Sequence, residues 1–109
     1  GWLMPATWQA GDTAPPIRFT LSEGSAPLDL SDITVKLRFA PKGGSTAWER
    51  ACEIDDAAAG TCHLDWQEDD LARSGDYEGQ LVLEYADSTR RLSAPFDIVV
   101  ARSLTEVEA

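Results

Sequence analysis

Apolar and polar residues alternate with a period of two along most of this chain. The alternation is clearest in residues 17–22, 33–39 and 77–85, where apolar side chains occupy every second position. Successive side chains of a β-strand point to opposite faces, so this period predicts half-buried strands. Clusters rich in glycine, proline and serine at residues 23–27 and 41–45 predict turns between them.

The number and spacing of these segments predict the fold class. About seven strands follow one another at intervals of roughly eight to twelve residues, a spacing typical of an all-β, immunoglobulin-like two-sheet antiparallel β-sandwich. A small closed barrel is the alternative. Residues 67–74 are predicted to form one short helical turn that places Leu71 in the core. Pro95 predicts an edge position or a bulge in the last strand.

The length of 109 residues is that of one domain. Residues 1–14 are expected to form an N-terminal arm or edge strand, and residues 15–101 the sandwich. Residues 102–109, with alternating charges, are expected to form a flexible C-terminal tail.

Two neighbouring strands are predicted to pair as a hairpin in the middle of the chain. In the register centred on residue 57, Cys52 lies opposite Cys62 and Trp48 lies opposite Trp66, which places like residues together on one face. The two cysteines are then either a pair of buried thiols or a disulfide. The sequence shows no export signal, and this favours thiols.

The charge restricts the classes of partner. Nineteen acidic residues against nine basic ones give a formal net charge of −10, which opposes binding to nucleic acid and to anionic membranes. No apolar run approaches the ~20 residues that span a bilayer. The chain has no asparagine, so it has no site for N-glycosylation.

The titratable residues do not predict an active site. His63 is the single histidine and is expected on the solvent face of its strand, whereas Cys62 points to the opposite face. Two cysteines and one outward histidine do not supply four zinc ligands. The acidic pairs at 55–56 and 69–70 lack the spacing of a calcium loop. We therefore predict no catalytic residues, no cofactor and no bound metal.

Four short motifs, in this order and spacing, resemble those of phage baseplate upper protein immunoglobulin-like domains. They are Gly11-Asp12-Thr13, Asp29-Leu30-Ser31-Asp32, Gly60-Thr61-Cys62-His63-Leu64-Asp65-Trp66 and Gly75-Asp76-Tyr77. Ser31 and Asp32 stand where threonine and glycine are usual. The resemblance covers about residues 9–100.

The resemblance implies a non-catalytic component of a tailed-phage or prophage virion, in the tail, baseplate or neck, that is made in the bacterial cytoplasm. Its implied partners are other virion structural proteins, and a homo-oligomer within a symmetric assembly fits the same setting. Trp2 and Trp8 of the arm, with Asp69 and Asp70 of an acidic loop, are candidate partner contacts. A carbohydrate-binding or adhesive module is the alternative, and it requires at least two tryptophans exposed on one patch.

Overall fold

A computed structural model describes residues 8–44 and 47–103 of the chain, and these residues form eleven β-strands with no helix. The strands are β1 (Trp8–Gln9), β2 (Ile17–Thr20), β3 (Ser22–Glu23), β4 (Ala26–Pro27), β5 (Ile33–Pro41), β6 (Trp48–Ala51), β7 (Glu53–Asp56), β8 (Thr61–Leu64), β9 (Gly75–Tyr85), β10 (Arg90–Leu92) and β11 (Phe96–Ala101). The predicted all-β class is confirmed.

The strands form one large sheet, one small sheet and a separate two-stranded ribbon. The large sheet has the order β1-β11-β9-β5-β6, and β10 also pairs with β9. The small sheet has the order β2-β8-β7, and β3 pairs with β4. Neighbouring strands run antiparallel except for β1 and β11, which are parallel. The sheets are open, curled and mixed, so the predicted immunoglobulin-like two-sheet sandwich is not confirmed.

The core lies between the two main sheets and follows the predicted alternation in β5. In β5, Val35, Leu37 and Phe39 are at most 3% exposed, and the residues between them are half-buried. In β9, Leu81 and Leu83 are buried on the core face, but Val82 between them is also fully buried, so the alternation of β5 is not repeated there. Both sheets contribute to a single apolar cluster that contains tryptophan, phenylalanine and leucine side chains.

The last strand is interrupted where Pro95 predicts it. Leu92 lies opposite Val82 and Phe96 lies opposite Gly79, so three residues of one strand face two of β9. Ser93 fills the gap, because its N–H donates to the Leu81 carbonyl at 2.9 Å and its Oγ accepts the Leu81 N–H at 2.9 Å. The interruption is therefore a bulge with satisfied hydrogen bonds.

The predicted hairpin register is wrong, because the chain changes sheets at Cys52. Residues before it (β6) pair with β5 in the large sheet, and residues after it (β7) pair with β8 in the small sheet. The Cys52 N–H donates to the Val35 carbonyl at 2.8 Å, which holds the crossing point to the large sheet. Cys62 consequently lies opposite Ile54, two residues beyond its predicted partner.

The residue pairs of that hairpin are nevertheless neighbours. Trp48 and Trp66 contact edge to face, with ring centroids 6.4 Å apart. Cys52 and Cys62 are also close, since each thiol shifts the pKa of the other. Neither pair is a cross-strand pair, because Cys52 and Trp66 lie outside the strands.

The predicted helical turn at residues 67–74 is also wrong. The segment forms a tight turn in which the Asp70 N–H donates to the Gln67 carbonyl at 3.1 Å. Asp69 has a φ of 74°, in the left-handed region, which stops a right-handed helix from continuing. Leu71 is 1% exposed, as the prediction for the core requires.

Candidate functional site

One side of the domain, the open side, carries an apolar groove between the two main sheets. The groove has a volume of about 440 Å³ and lies between β2 of the small sheet and β11 of the large sheet. Its apolar lining comes chiefly from Trp8, Pro15, Ile17, Phe19, Phe96 and Ile98.

Contacts between aromatic rings hold the groove in shape. The Trp8 indole N–H donates to the Pro15 carbonyl at 2.7 Å, and the ring meets Trp66 edge to face at 5.4 Å. Phe19 and Phe96 meet across the groove, with ring centroids 5.7 Å apart. Each such ring pair contributes about 0.5–1.5 kcal/mol beyond the burial of apolar area. The side chains that line the groove are therefore held in place without a bound partner.

Within the described residues, the backbone of β11 is unpaired along part of the groove. The Ala10 N–H donates to the Ala101 carbonyl at 2.8 Å, so the polar backbone groups of Ala101 point toward β1. These groups alternate sides along a strand, and those of Asp97 and Val99 therefore point to the same edge. The structure describes β1 from Trp8 onward, paired with Val100 and Ala101, and no other strand of residues 8–44 or 47–103 pairs with this edge of β11.

A second groove extends this open side toward β10. It has a volume of about 350 Å³ and is lined in part by Leu21, Leu28, Leu83 and Leu92. Leu92 is 49% exposed. Single exposed apolar side chains are ordinary on protein surfaces, so this second groove alone does not indicate a partner.

The predicted contact residues occupy different environments. Trp2 lies outside the described residues. Trp8 is 4% exposed and forms part of the groove lining, so it supports the open side from within. Asp69 is exposed. Asp70 forms an ion pair with Arg50, and its carboxylate also accepts the Gln67 N–H at 2.7 Å.

The aromatic residues give no support to a sugar-binding patch. Trp8 and Trp66 are each 4% exposed. Trp48 is half-buried, with its ring against Phe39 at 5.0 Å and the Arg50 guanidinium 4.1 Å from its centroid. Among the three tryptophans that the structure describes, none offers an open ring face comparable to a sugar platform.

The two cysteines are free and buried. Cys52 is 9% exposed and Cys62 is fully buried. The hydrogen bond with Cys62 and the loss of solvent both raise the pKa of the Cys52 thiol far above its usual range. Burial and protonation both make this thiol a poor nucleophile.

The outer face of the hairpin β7–β8 carries a cluster of one imidazole and three carboxylates. His63 Nδ1 lies 2.8 Å from Asp55 Oδ1, and His63 Nε2 lies 3.0 Å from Glu53 Oε2. Asp65 Oδ2 lies 3.6 Å from the same Nε2. The hydrogen bond with Asp55 is the main cause that raises the pKa of His63 above its usual value.

The cluster has the donor types of a metal site, because one oxygen each from Glu53 and Asp65 and one nitrogen of His63 lie within 4.8 Å of one another. Sequence reasoning missed it by treating His63 together with the cysteines. The patterns Glu53-x-Asp55 and His63-x-Asp65, each with a spacing of two on a strand, carry the signal that both pairs share one face.

The fold and these surfaces define a small all-β domain with an incompletely covered sheet edge and apolar grooves beside it. Residues 7–109 match the family model described as the BppU N-terminal domain, the N-terminal domain of baseplate upper proteins, and the chain belongs to this family. The resemblance predicted from the motifs is thereby confirmed. A search of curated proteins finds no match to the chain.

Family membership indicates a structural component of a phage baseplate, and therefore of the virion. It also implies interaction with other virion proteins. Within residues 8–44 and 47–103, the structure contains no helix with the length and apolar character needed to cross a bilayer.

Proposed function

We propose that this domain is a non-catalytic docking module of the baseplate, with an immunoglobulin-like sandwich as its scaffold. It binds an extended segment of another baseplate protein along the open side. The observation that supports this proposal is the edge of β11 at Asp97, which no strand within residues 8–44 or 47–103 covers, beside the apolar groove.

Strand addition uses both features of this side. Main-chain hydrogen bonds to a sheet edge supply affinity, and pockets for alternate side chains supply specificity. At the edge of β11, the backbone groups of Asp97 and the N–H of Val99 point toward an incoming strand, while Phe96 and Ile98 face the groove. An apolar side chain of the incoming strand would cover the rings of Phe19 and Phe96.

Charge favours a different protein over a second copy of this chain. Each copy has a formal net charge of −10, so two copies repel one another at long range. A partner with basic residues around its apolar segment gains from the same field. We therefore place contacts between copies second, and the charge also makes nucleic acid and anionic membranes poor partners.

Replacement of Val99 by proline tests the edge directly. Proline removes the Val99 N–H, which points away from β9, and it is tolerated at a strand edge. Val99→Thr is the matched control, because it removes apolar surface at the same position and keeps the N–H. Both variants are introduced into the phage, and the amount of the variant protein in purified virions is measured by quantitative mass spectrometry.

We expect Val99→Pro to reduce incorporation at least tenfold and Val99→Thr to leave it within about twofold. A thermal melt of each isolated domain within about 4 °C of the parent excludes loss by unfolding. Equal incorporation of the two variants would refute docking at this edge, and loss in both would assign the contact to the exposed side chain of Val99 instead of the edge.

A further inference from the structure

The hairpin β7–β8 forms part of the small sheet and has an outer and an inner face. Glu53 and His63 are directly opposed across the two strands, and Asp65 follows His63 on the same face. Cys62 and Leu64, which alternate with them, are buried on the inner face. The strand register therefore brings one imidazole nitrogen and two carboxylates to one point.

We propose that Glu53, His63 and Asp65 form a binding site for a divalent transition-metal ion, with Zn²⁺ as the best match. His63 Nε2 and one oxygen from each carboxylate are the three protein ligands, and water completes the coordination. This site is independent of the proposed docking function, because it uses none of the residues of the groove or of β11.

The two nitrogen–oxygen distances are close to those of a zinc site, and the two carboxylate oxygens lie within 4.8 Å of each other. Zinc–nitrogen and zinc–oxygen bonds of about 2.0–2.1 Å in a tetrahedral arrangement place neighbouring ligand atoms about 3.3 Å apart. His63 Nε2 lies 3.0 Å from Glu53 Oε2 and 3.6 Å from Asp65 Oδ2, on either side of that value. The side chains of Glu53 and Asp65 are 75% and 68% exposed, so they have room for the remaining adjustment.

Asp55 prepares His63 as a ligand. Asp55 Oδ1 lies 2.8 Å from His63 Nδ1 and is the natural acceptor for an Nδ1–H, and the metal ion takes the place of the proton that Nε2 presents to Glu53 when the ring is protonated. A carboxylate behind a metal-bound histidine fixes the ring and its tautomer in many zinc sites. The His63 side chain is only 16% exposed, so its orientation is already restricted.

The mixed donor set decides which ions fit. An imidazole nitrogen with two carboxylates suits zinc and its neighbours in the first transition row, whereas Ca²⁺ and Mg²⁺ prefer oxygen ligands alone. The buried thiols of Cys52 and Cys62 point to the other side of the strand and cannot reach the same ion. Zinc binding at this site therefore leaves both thiols unchanged.

The test is a calorimetric titration of the reduced domain with ZnCl₂, combined with ¹⁵N NMR of the His63 ring. We expect one ion per domain and a change in the Nε2 resonance of His63. His63→Asn and Asp65→Asn should each weaken binding at least tenfold. Asp55→Asn should weaken it about tenfold and shift the tautomer of His63 in the metal-free domain. Asp76→Asn, which removes one exposed carboxylate from β9 of the other sheet, is the charge-matched control and should change affinity less than twofold.

Three results would overturn the proposal. The first is the absence of zinc binding at millimolar concentration. The second is binding that survives His63→Asn but disappears in Cys62→Ala, which would assign the ion to the thiols. The third is equal affinity for Ca²⁺ and Zn²⁺ with no effect of His63→Asn, which would show a general attraction of cations to exposed acids.

Discussion

Replacement of Gly60 by alanine tests how closely the turn after β7 packs against Leu21 and Leu28, which line the second groove. Gly60 has a φ of 73°, where an L-residue costs about 1–2 kcal/mol. An added Cβ would also overlap the Leu21 carbonyl oxygen and lie 2.8 Å from the Leu28 carbonyl oxygen. Both contacts are with backbone, so the strand segments around Leu21 and Leu28 must move.

The movement breaks hydrogen bonds, and this sets the magnitude. The Leu21 N–H donates to the Gly60 carbonyl at 2.8 Å, and the Leu28 N–H donates to the Leu21 carbonyl at 3.0 Å. Loss of these two bonds costs about 1 kcal/mol each. Together with the backbone term, we expect Gly60→Ala to lower the free energy of unfolding by about 3–4 kcal/mol.

Gly43→Ala is the matched control, because Gly43 has a φ of 76° and no atom within 4 Å of an added Cβ. It should cost only the backbone term of about 1–2 kcal/mol. Urea unfolding followed by tryptophan fluorescence measures both values. A difference of less than about 0.5 kcal/mol between the two variants would refute the close packing of this turn against Leu21 and Leu28.

Two further predictions concern the core. Trp8→Ala should lower the free energy of unfolding by about 3–5 kcal/mol, because it removes a 4% exposed ring together with its hydrogen bond to Pro15. A loss below about 1 kcal/mol in urea unfolding would contradict the placement of Trp8 in the core. In the folded domain, Cys52 and Cys62 should react with a thiol reagent at least a hundredfold more slowly than in guanidinium. In guanidinium without reductant, two thiols should react. Thiols that react only after reduction would indicate a disulfide and contradict this prediction.

Residue patterns within one strand were predictable from the sequence. Val35, Leu37 and Phe39 occupy every second position of β5 and are all buried. The sequence predicts this because successive side chains of a strand point to opposite faces, so alternation alone identifies the buried face. Pro95 similarly marked the bulge before β11, since the loss of an N–H is a local property.

The sheet change at Cys52 was not predictable from local pattern. Residues on both sides of Cys52 alternate as one strand would, yet β6 pairs with β5 and β7 pairs with β8. The choice depends on which distant strands compete for the backbone, and this is a property of the whole fold. The hairpin register failed for this reason, although Trp48 and Trp66 still meet.

Local backbone geometry explains the remaining fold error. Residues 67–74 contain good helix formers, but Asp69 takes a left-handed conformation and Asp70 uses its carboxylate to accept the Gln67 N–H. Aspartate side chains compete with the helix for backbone donors in this way. The Arg50 side chain, which pairs with Asp70, comes from a distant strand that no local rule identifies.

The candidate sites were predictable only in part. The spacing of Glu53, Asp55, His63 and Asp65 shows which of them share a face of each strand, but their meeting depends on the register of β7 with β8. The edge of β11 beside Asp97 was harder to predict, because the pairing of β1 with Val100 and Ala101 joins distant parts of the chain and has no local signal in the sequence.

The most direct test of the docking role is a cryo-electron microscopy map of the assembled baseplate at a resolution that separates strands. We expect a strand from another baseplate protein along β11, within hydrogen-bond distance of the Asp97 backbone and the Val99 N–H, with an apolar side chain against Phe19 and Phe96. An edge of β11 that faces solvent in the assembled particle, or that is covered by residues 1–7 of the same chain, would contradict it.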